Sequence, residues 1–254
     1  MLTFDLILLL FAAFAAGFID AVIGGGGLIQ LPAIMFYMPG ADLPTVFGTS
    51  KFAGFMGTAW ASVKYSMKTK INLYAVIPAI LTALPFAYAG AKAVSSLNKE
   101  TLKPLIIVLF SGVAIYTFIK KDFGLAEPKQ HSNKKIISMA LLAGAVIGFY
   151  DGFFGPGTGS FLVFIYVFLY GFDFLQASAS AKIVNSSTNI AALVFFISNG
   201  QVAFKIAIPV AVCNIAGSVV GANMAIKKGS GFIRMAFLIV ICSFIAKMVY
   251  DTFF

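Results

Sequence analysis

The sequence predicts an all-α polytopic membrane protein of two inverted repeats, each with a glycine-broken re-entrant or short helix plus full transmembrane helices. Three observations carry that expectation. Of 254 residues, 60% are hydrophobic and 11% charged, where a soluble domain has roughly 45–50% and about 25%. Apolar runs of bilayer length recur along the chain. The chain also repeats itself at one fixed offset.

The composition excludes several classes at once. With a mean hydropathy of +0.97, a soluble fold of this size could not cover its surface with so few charges. The net charge of +9 gathers in the breaks between apolar runs, which marks cytoplasmic loops rather than a nucleic-acid surface. No nucleic-acid partner is therefore expected. Cys213, Cys242 and His131 make no metal-ligand spacing, and no metal or other cofactor is expected. The N-terminus Met-Leu-Thr-Phe-Asp has no basic residue and reads as the start of the first span, not as a signal peptide.

The apolar runs cover 6–23, 44–63, 72–94, 102–119, 136–153, 177–198, 202–224 and 232–250, each close to the ~17–25 residues that cross a bilayer core. Two shorter runs, 28–38 and 159–170, follow glycine-rich breaks. At 1.5 Å per residue each reaches only ~17–18 Å, a little over half the hydrocarbon thickness. These are expected to be half-helices or short tilted spans. The polar stretch from Lys120 to Lys135, with five lysines, is a linker.

The halves flanking the linker are copies. An ungapped offset of 131 pairs Gly17 with Gly148, Asp20 with Asp151, Gly24 with Gly155 and Gly26 with Gly157. It continues through Gly40/Gly171, Asp42/Asp173, Lys51/Lys182, Pro78/Pro209 and Gly90/Gly221. One transporter domain over 1–254 is therefore expected, with repeat 1 at 1–119, a cytoplasmic linker at 120–135 and repeat 2 at 136–254. If each half crosses an odd number of times, one side receives eleven basic residues: Lys64, Lys68, Lys70, the linker lysines, Lys227, Lys228 and Arg234. The other receives five, Lys92, Lys99, Lys103, Lys205 and Lys247. An even count splits them less sharply. The odd count makes the repeats inverted and turns both termini outward.

Three polar features lie inside the apolar runs. Four consecutive glycines from Gly24 and the run Gly155-Pro156-Gly157-Thr158 interrupt helices four residues after Asp20 and Asp151. Glycine breaks serve close helix packing, or they leave helix N-terminal N–H groups for an anion. Donors expected there are Gly25, Gly26 and Gly27 in one half, and Gly157, Thr158 and Gly159 in the other. Next, Lys51 and Lys182 sit in apolar helices, where lipid exposure costs about 2.5–3.5 kcal/mol. Each pairs with Asp20 or Asp151, balances an anionic substrate, or does both in turn. Lastly, Asn185 and Asn189 share a helix face with Lys182, and Ser50 and Ser180 lie beside the lysines. Interhelical hydrogen bonding and anion binding are both open to these side chains.

Gly17-Phe-Ile-Asp-Ala-Val-Ile-Gly-Gly-Gly-Gly, Gly148-Phe-Tyr-Asp-Gly-Phe-Phe-Gly-Pro-Gly-Thr-Gly and the Thr49-Ser50-Lys51 and Ser178-Ala179-Ser180-Ala181-Lys182 runs resemble the TauE/SafE sulfite-exporter family of the toluenesulfonate-uptake permease superfamily. The resemblance covers essentially the whole chain. Gln30 adds a polar group beside the first short helix, and Pro32 has no counterpart in the second. The resemblance implies a secondary transporter for sulfite or small organosulfonates in a bacterial-type inner membrane. The physical reading also points to an anionic solute, since sulfur oxyanions suit several N–H and O–H donors with one or two cations. No phosphate-binding Walker motif is present, so a gradient drives transport, with Asp20 and Asp151 as candidate proton carriers. The expected partners are the small anion, the lipid bilayer and a second copy in a homodimer, through small-residue faces such as Val210 to Ala225. A transporter for another small solute and an intramembrane aspartyl enzyme using Asp20 and Asp151 are the competing readings.

Overall fold

A computed structural model describes residues 4–95 and 132–253, with side chains as far as residue 239. The apolar run 102–119 and the linker from Lys120 to His131 lie outside the described residues, as does the side chain of Cys242. Among the described residues every regular element is a helix. In order they are α1 (Phe4–Ile23), α2 (Gly27–Tyr37), α3 (Leu43–Ser66), α4 (Leu73–Val94), α5 (Asn133–Phe153), α6 (Thr158–Tyr170), α7 (Phe174–Ser198) and α8 (Phe204–Phe253).

Local chemistry sets the boundaries. The repeat-matched aspartates Asp42 and Asp173 are N-caps: Asp42 Oδ2 accepts from Thr45 N–H at 3.2 Å, and Asp173 Oδ1 from Gln176 N–H at 2.9 Å. Asn72 does the same for α4, accepting from Tyr74 N–H at 3.0 Å. The runs 202–224 and 232–250 emerge as one long element broken at Gly229, whose φ of 70° and ψ of −165° only glycine adopts without strain.

Five of these helices are long and apolar enough to cross a membrane: α1, α4, α5, α7 and α8 as far as Ile239. At 24 residues α3 is also long enough, but its inward face carries Thr49, Ser50 and Lys51. The short helices α2 and α6 have 11 and 13 residues and cannot span alone. Large apolar side chains, among them Phe11, Trp60, Leu81, Leu142 and Val212, stand exposed on the outer faces. That surface suits acyl chains and not water.

Packing is reciprocal between the halves. The most extensive contacts are α4 along α5 and α1 along α8, so the last described helix of the first half lies on the first helix of the second, and the first helix of the chain lies on α8. Likewise α3 packs on α8 and α7 on α4. Small residues permit this closeness. Gly144, Gly148 and Gly152 on α5 meet Ala79, Ala83 and Ala87 on α4, while Gly217 and Gly221 on α8 meet Phe14 and Phe18 on α1. The small-residue face between Val210 and Ala225 is thus occupied within the chain.

Two large apolar clusters form most of the core, with Tyr150 and Phe161 as a small third. One gathers Tyr65, Tyr166, Phe174 and Phe237, the other Ile34, Phe47, Phe196 and Val210. The buried polar residues belong to neither.

Candidate functional site

The two glycine breaks touch. A Cβ placed on Gly159 would collide with the backbone of Gly24, and one on Gly24 with that of Gly159. Gly24 (φ 81°) and Gly157 (φ 83°) also hold left-handed backbone that side chains resist. Ser160 N–H donates to Gly24 O at 3.1 Å, tying the start of α6 to the end of α1.

The end of α1 is therefore buried with its last carbonyls turned inward, and each needs a donor. Tyr65 Oη donates to Ala21 O at 3.0 Å, Ser178 Oγ to Val22 O at 3.4 Å and Ser160 Oγ to Ile23 O at 3.1 Å. Gly24 N–H donates to Asp20 O at 2.7 Å, and the Lys182 ammonium donates to the same carbonyl. Lys182 Nζ also stands 3.5 Å from Asp20 Oδ2. With 0% of its surface exposed, Lys182 caps α1, a cation at the negative end of a helix. Thr58 Oγ1 donates to Asp20 Oδ2 at 2.8 Å, the same oxygen that faces Lys182.

Lys51 has a different setting. Its Nζ lies 2.7 Å from Asp151 Oδ1. The end of α5 closes with its own backbone, as Phe154 N–H and Gly155 N–H both donate to Tyr150 O at 2.8 and 3.2 Å. The ammonium is left for the carboxylate and for Gly155, where a Cβ would come within 2.8 Å of Nζ. Asp151 Oδ2 is buried with no hydrogen-bond partner among the described residues. Both ion pairs join residues of opposite halves.

Lys51 and Asp151 open on a cavity of about 60 Å³ between the breaks. Where one water needs ~10–15 Å³ on this measure, that is room for a handful of waters or one small polyatomic ion. Polar side chains come from Asp20, Gln30, Ser50, Lys51, Thr58, Asp151, Asn185, Asn189 and Asn214. Glycine backbone at Gly24, Gly26, Gly27, Gly155, Gly157 and Gly159 supplies much of the rest, and Phe47, Phe154 and Pro156 make an apolar wall.

Of the candidate residues, Asp20, Gly26, Gly27, Ser50, Lys51, Asp151, Gly157, Gly159, Asn185 and Asn189 line this one cavity. Gly25, Thr158, Ser180 and Lys182 do not. The Thr158 hydroxyl is spent on Gly155 O at 2.7 Å, and Lys182 is spent on α1. Ser180 is fully buried, and its Oγ has no partner among the described residues. Asn214 is the residue that sequence reasoning missed, and Gln30 and Thr58 were not assigned to the site. An amide in the middle of an apolar run is the signal that marks Asn214.

Short broken helices that meet at a small, polar, glycine-lined cavity inside a polytopic helical protein are an arrangement that membrane transporters use. The chain matches the family model described as "Sulfite exporter TauE/SafE" over residues 9–248, and it belongs to that family. Its relatives include a "Probable membrane transporter protein ORF9" from Sinorhizobium sp., 34% identical over 98% of this chain and 95% of the relative. A "Probable membrane transporter protein" from Haemophilus influenzae is 34% identical over 97% and 96% of the two chains. The "Probable membrane transporter protein YfcA" of Escherichia coli K12 is 31% identical over 96% of this chain and 89% of its own length. No solved structure matches the chain. Family and relatives are transporters in name, not enzymes.

Proposed function

We propose that the cavity carries one small sulfur oxyanion, sulfite or a small organosulfonate, by alternating access, and that the direction is export. The observation that carries this reading is Lys51: a buried cation, held by one carboxylate, opening on a cavity walled by glycine backbone and amide side chains. Oxyanions need donors at short range and little side-chain bulk, and this cavity offers both. Sulfite, a sulfur with its oxygens and nothing more, matches the volume more closely than sulfoacetate.

The charges suggest how coupling works. Asp20, Asp151, Lys51 and Lys182 cancel formally, so an entering anion shares Lys51 with Asp151. Uptake of a proton at Asp151 relieves that competition, which makes this carboxylate the coupling group. Asp20, held by Thr58 and Lys182, is the weaker candidate. The repeats are read as inverted, which places both breaks near the membrane midplane. The basic loops and the linker 120–135 face the cytoplasm and the termini face outward, in the plasma membrane of a bacterial-type cell.

Purified protein in proteoliposomes, assayed with radiolabelled sulfite and sulfoacetate, tests the reading. Saturable sulfite flux that responds to an imposed pH gradient is the expected result. Liposomes no more permeable to either anion than protein-free controls would overturn it.

A further inference from the structure

One pair of polar groups in the cavity wall has no counterpart in the repeat. Gln30 of α2 and Asn214 of α8 are both 2% exposed, and neither has a polar mate in the repeat. At the offset of 131 their counterparts are Phe161 and Ala83, whose side chains form no hydrogen bonds of this kind. The two amides lie in series: Asn214 Nδ2 is 2.6 Å from Gln30 Oε1, and Gln30 Nε2 is 2.7 Å from the Ser50 carbonyl.

Chemistry fixes the direction of that series. A backbone carbonyl only accepts, so the Gln30 atom facing it at 2.7 Å is the nitrogen. Gln30 Oε1 then faces Asn214 and needs a donor, which only the Asn214 nitrogen can be. One hydrogen of Gln30 Nε2 is used on the Ser50 carbonyl. The other makes only a long, weak hydrogen bond to Ser50 Oγ, at 3.4 Å. Gln30 lines the cavity, and this second hydrogen is available to it.

We propose that Gln30 is a specificity-determining donor to the transported anion and that Asn214 is a positioning residue that locks the Gln30 amide with its nitrogen, not its oxygen, on the cavity side. This rests on the anion reading above. Without Asn214, only the Ser50 carbonyl holds the glutamine amide, and the donor is aimed less firmly at the anion. Asn214 is itself closely packed: its Oδ1 lies where a Cβ on Gly57 would be.

A double-mutant cycle on the purified full-length protein tests the assignment, with sulfite affinity read by calorimetry and melting temperature alongside. Gln30→Leu and Asn214→Leu are each expected to weaken sulfite binding about tenfold, a loss of about 1.4 kcal/mol. The double variant is expected to match Gln30→Leu within twofold, because Asn214 acts through Gln30. Gln30→Glu keeps the acceptor for Asn214 but removes the donor, and it should abolish binding. Wild-type affinity in Asn214→Leu, or losses that multiply in the double variant, would overturn the positioning role. A lower melting temperature with unchanged affinity would do the same, showing a structural part only. If Asn214→Leu does not yield monodisperse protein, Asn214→Ala takes its place in the cycle under the same criteria. A wild-type protein that binds neither sulfite nor sulfoacetate sinks the anion reading and takes this role with it. Wild-type binding with an unresponsive Asn214 variant sinks this role alone.

Discussion

Lys51 Nζ lies 2.7 Å from Asp151 Oδ1, so the buried cation of the first half is neutralised by the buried carboxylate of the second. The repeat-related pair crosses in the same sense, Lys182 to Asp20 at 3.5 Å. The two pairs nevertheless differ in kind. Lys182 is fixed by a helix end, whereas Lys51 faces the cavity.

That difference separates the effects of removing the two lysines. Lys51→Met leaves Asp151 as an unpaired buried charge and should destabilise the protein by about 3–5 kcal/mol. Combining it with Asp151→Asn removes the stranded charge, so melting temperature should recover while sulfite flux stays at background. Thermal melting in detergent and flux in proteoliposomes read the two effects. Recovery of flux in the double variant would contradict the role of Lys51.

Lys182→Met should act on folding first. It uncaps α1 and strands Asp20, a cost of about 3–5 kcal/mol. With Asp20→Asn added to remove the stranded charge, the fraction that folds should transport within about threefold of wild type, since Lys182 does not line the cavity. Loss of flux at normal melting temperature would return Lys182 to the substrate path.

Thr58→Val removes the hydroxyl that donates to Asp20 Oδ2. A hydrogen bond to a charged group contributes about 1.5–3 kcal/mol, and a loss of stability of that order, seen as a lower melting temperature, is expected with little change in sulfite affinity. An unchanged melting temperature would show that Thr58 does not support the carboxylate.

Gly157→Ala forces a side chain into left-handed backbone and should cost about 1–2 kcal/mol. The substitution is a stability probe more than a binding probe, and the same is true at Gly26, where a Cβ would meet Asp20 Cβ at 2.6 Å. Gly54→Ala is the contrasting control. Its Cβ would have only Gln30 Nε2 nearby, at 3.7 Å, so folding should survive. A melting temperature lowered as far in Gly54→Ala as in Gly157→Ala would contradict this reading of the backbone.

Much of this was legible in the sequence because ionisable residues and glycine clusters stand out against apolar runs. Asp20, Asp151, Lys51 and Lys182 were visible for that reason, and the offset of 131 tied them in pairs. Which lysine meets which aspartate was not legible. It depends on α3 of one half packing beside α7 and α8 of the other, a matter of tertiary geometry. Asp42 and Asp173 were visible as a match, but their work as N-caps needed the turn geometry. Asn214 escaped because its repeat mate is Ala83, so self-comparison cannot flag it. Lys182 was placed with the site as a cation in an apolar helix matched to Lys51, and Ser180 as its neighbour. Only the burial of the α1 terminus explains why Lys182 turns away from the cavity.

The central claim is that one anion sits between the two glycine breaks, against Lys51. Selenite has the pyramidal shape of sulfite and a strong anomalous signal, so crystals soaked in it and measured at the selenium edge locate the anion directly. The account predicts one dominant anomalous peak per chain in the cavity, within hydrogen-bond reach of Lys51 Nζ and Gln30 Nε2, and absent from Lys51→Met/Asp151→Asn crystals. Peaks confined to surface lysines, or an equally strong cavity peak in the double variant, would contradict it.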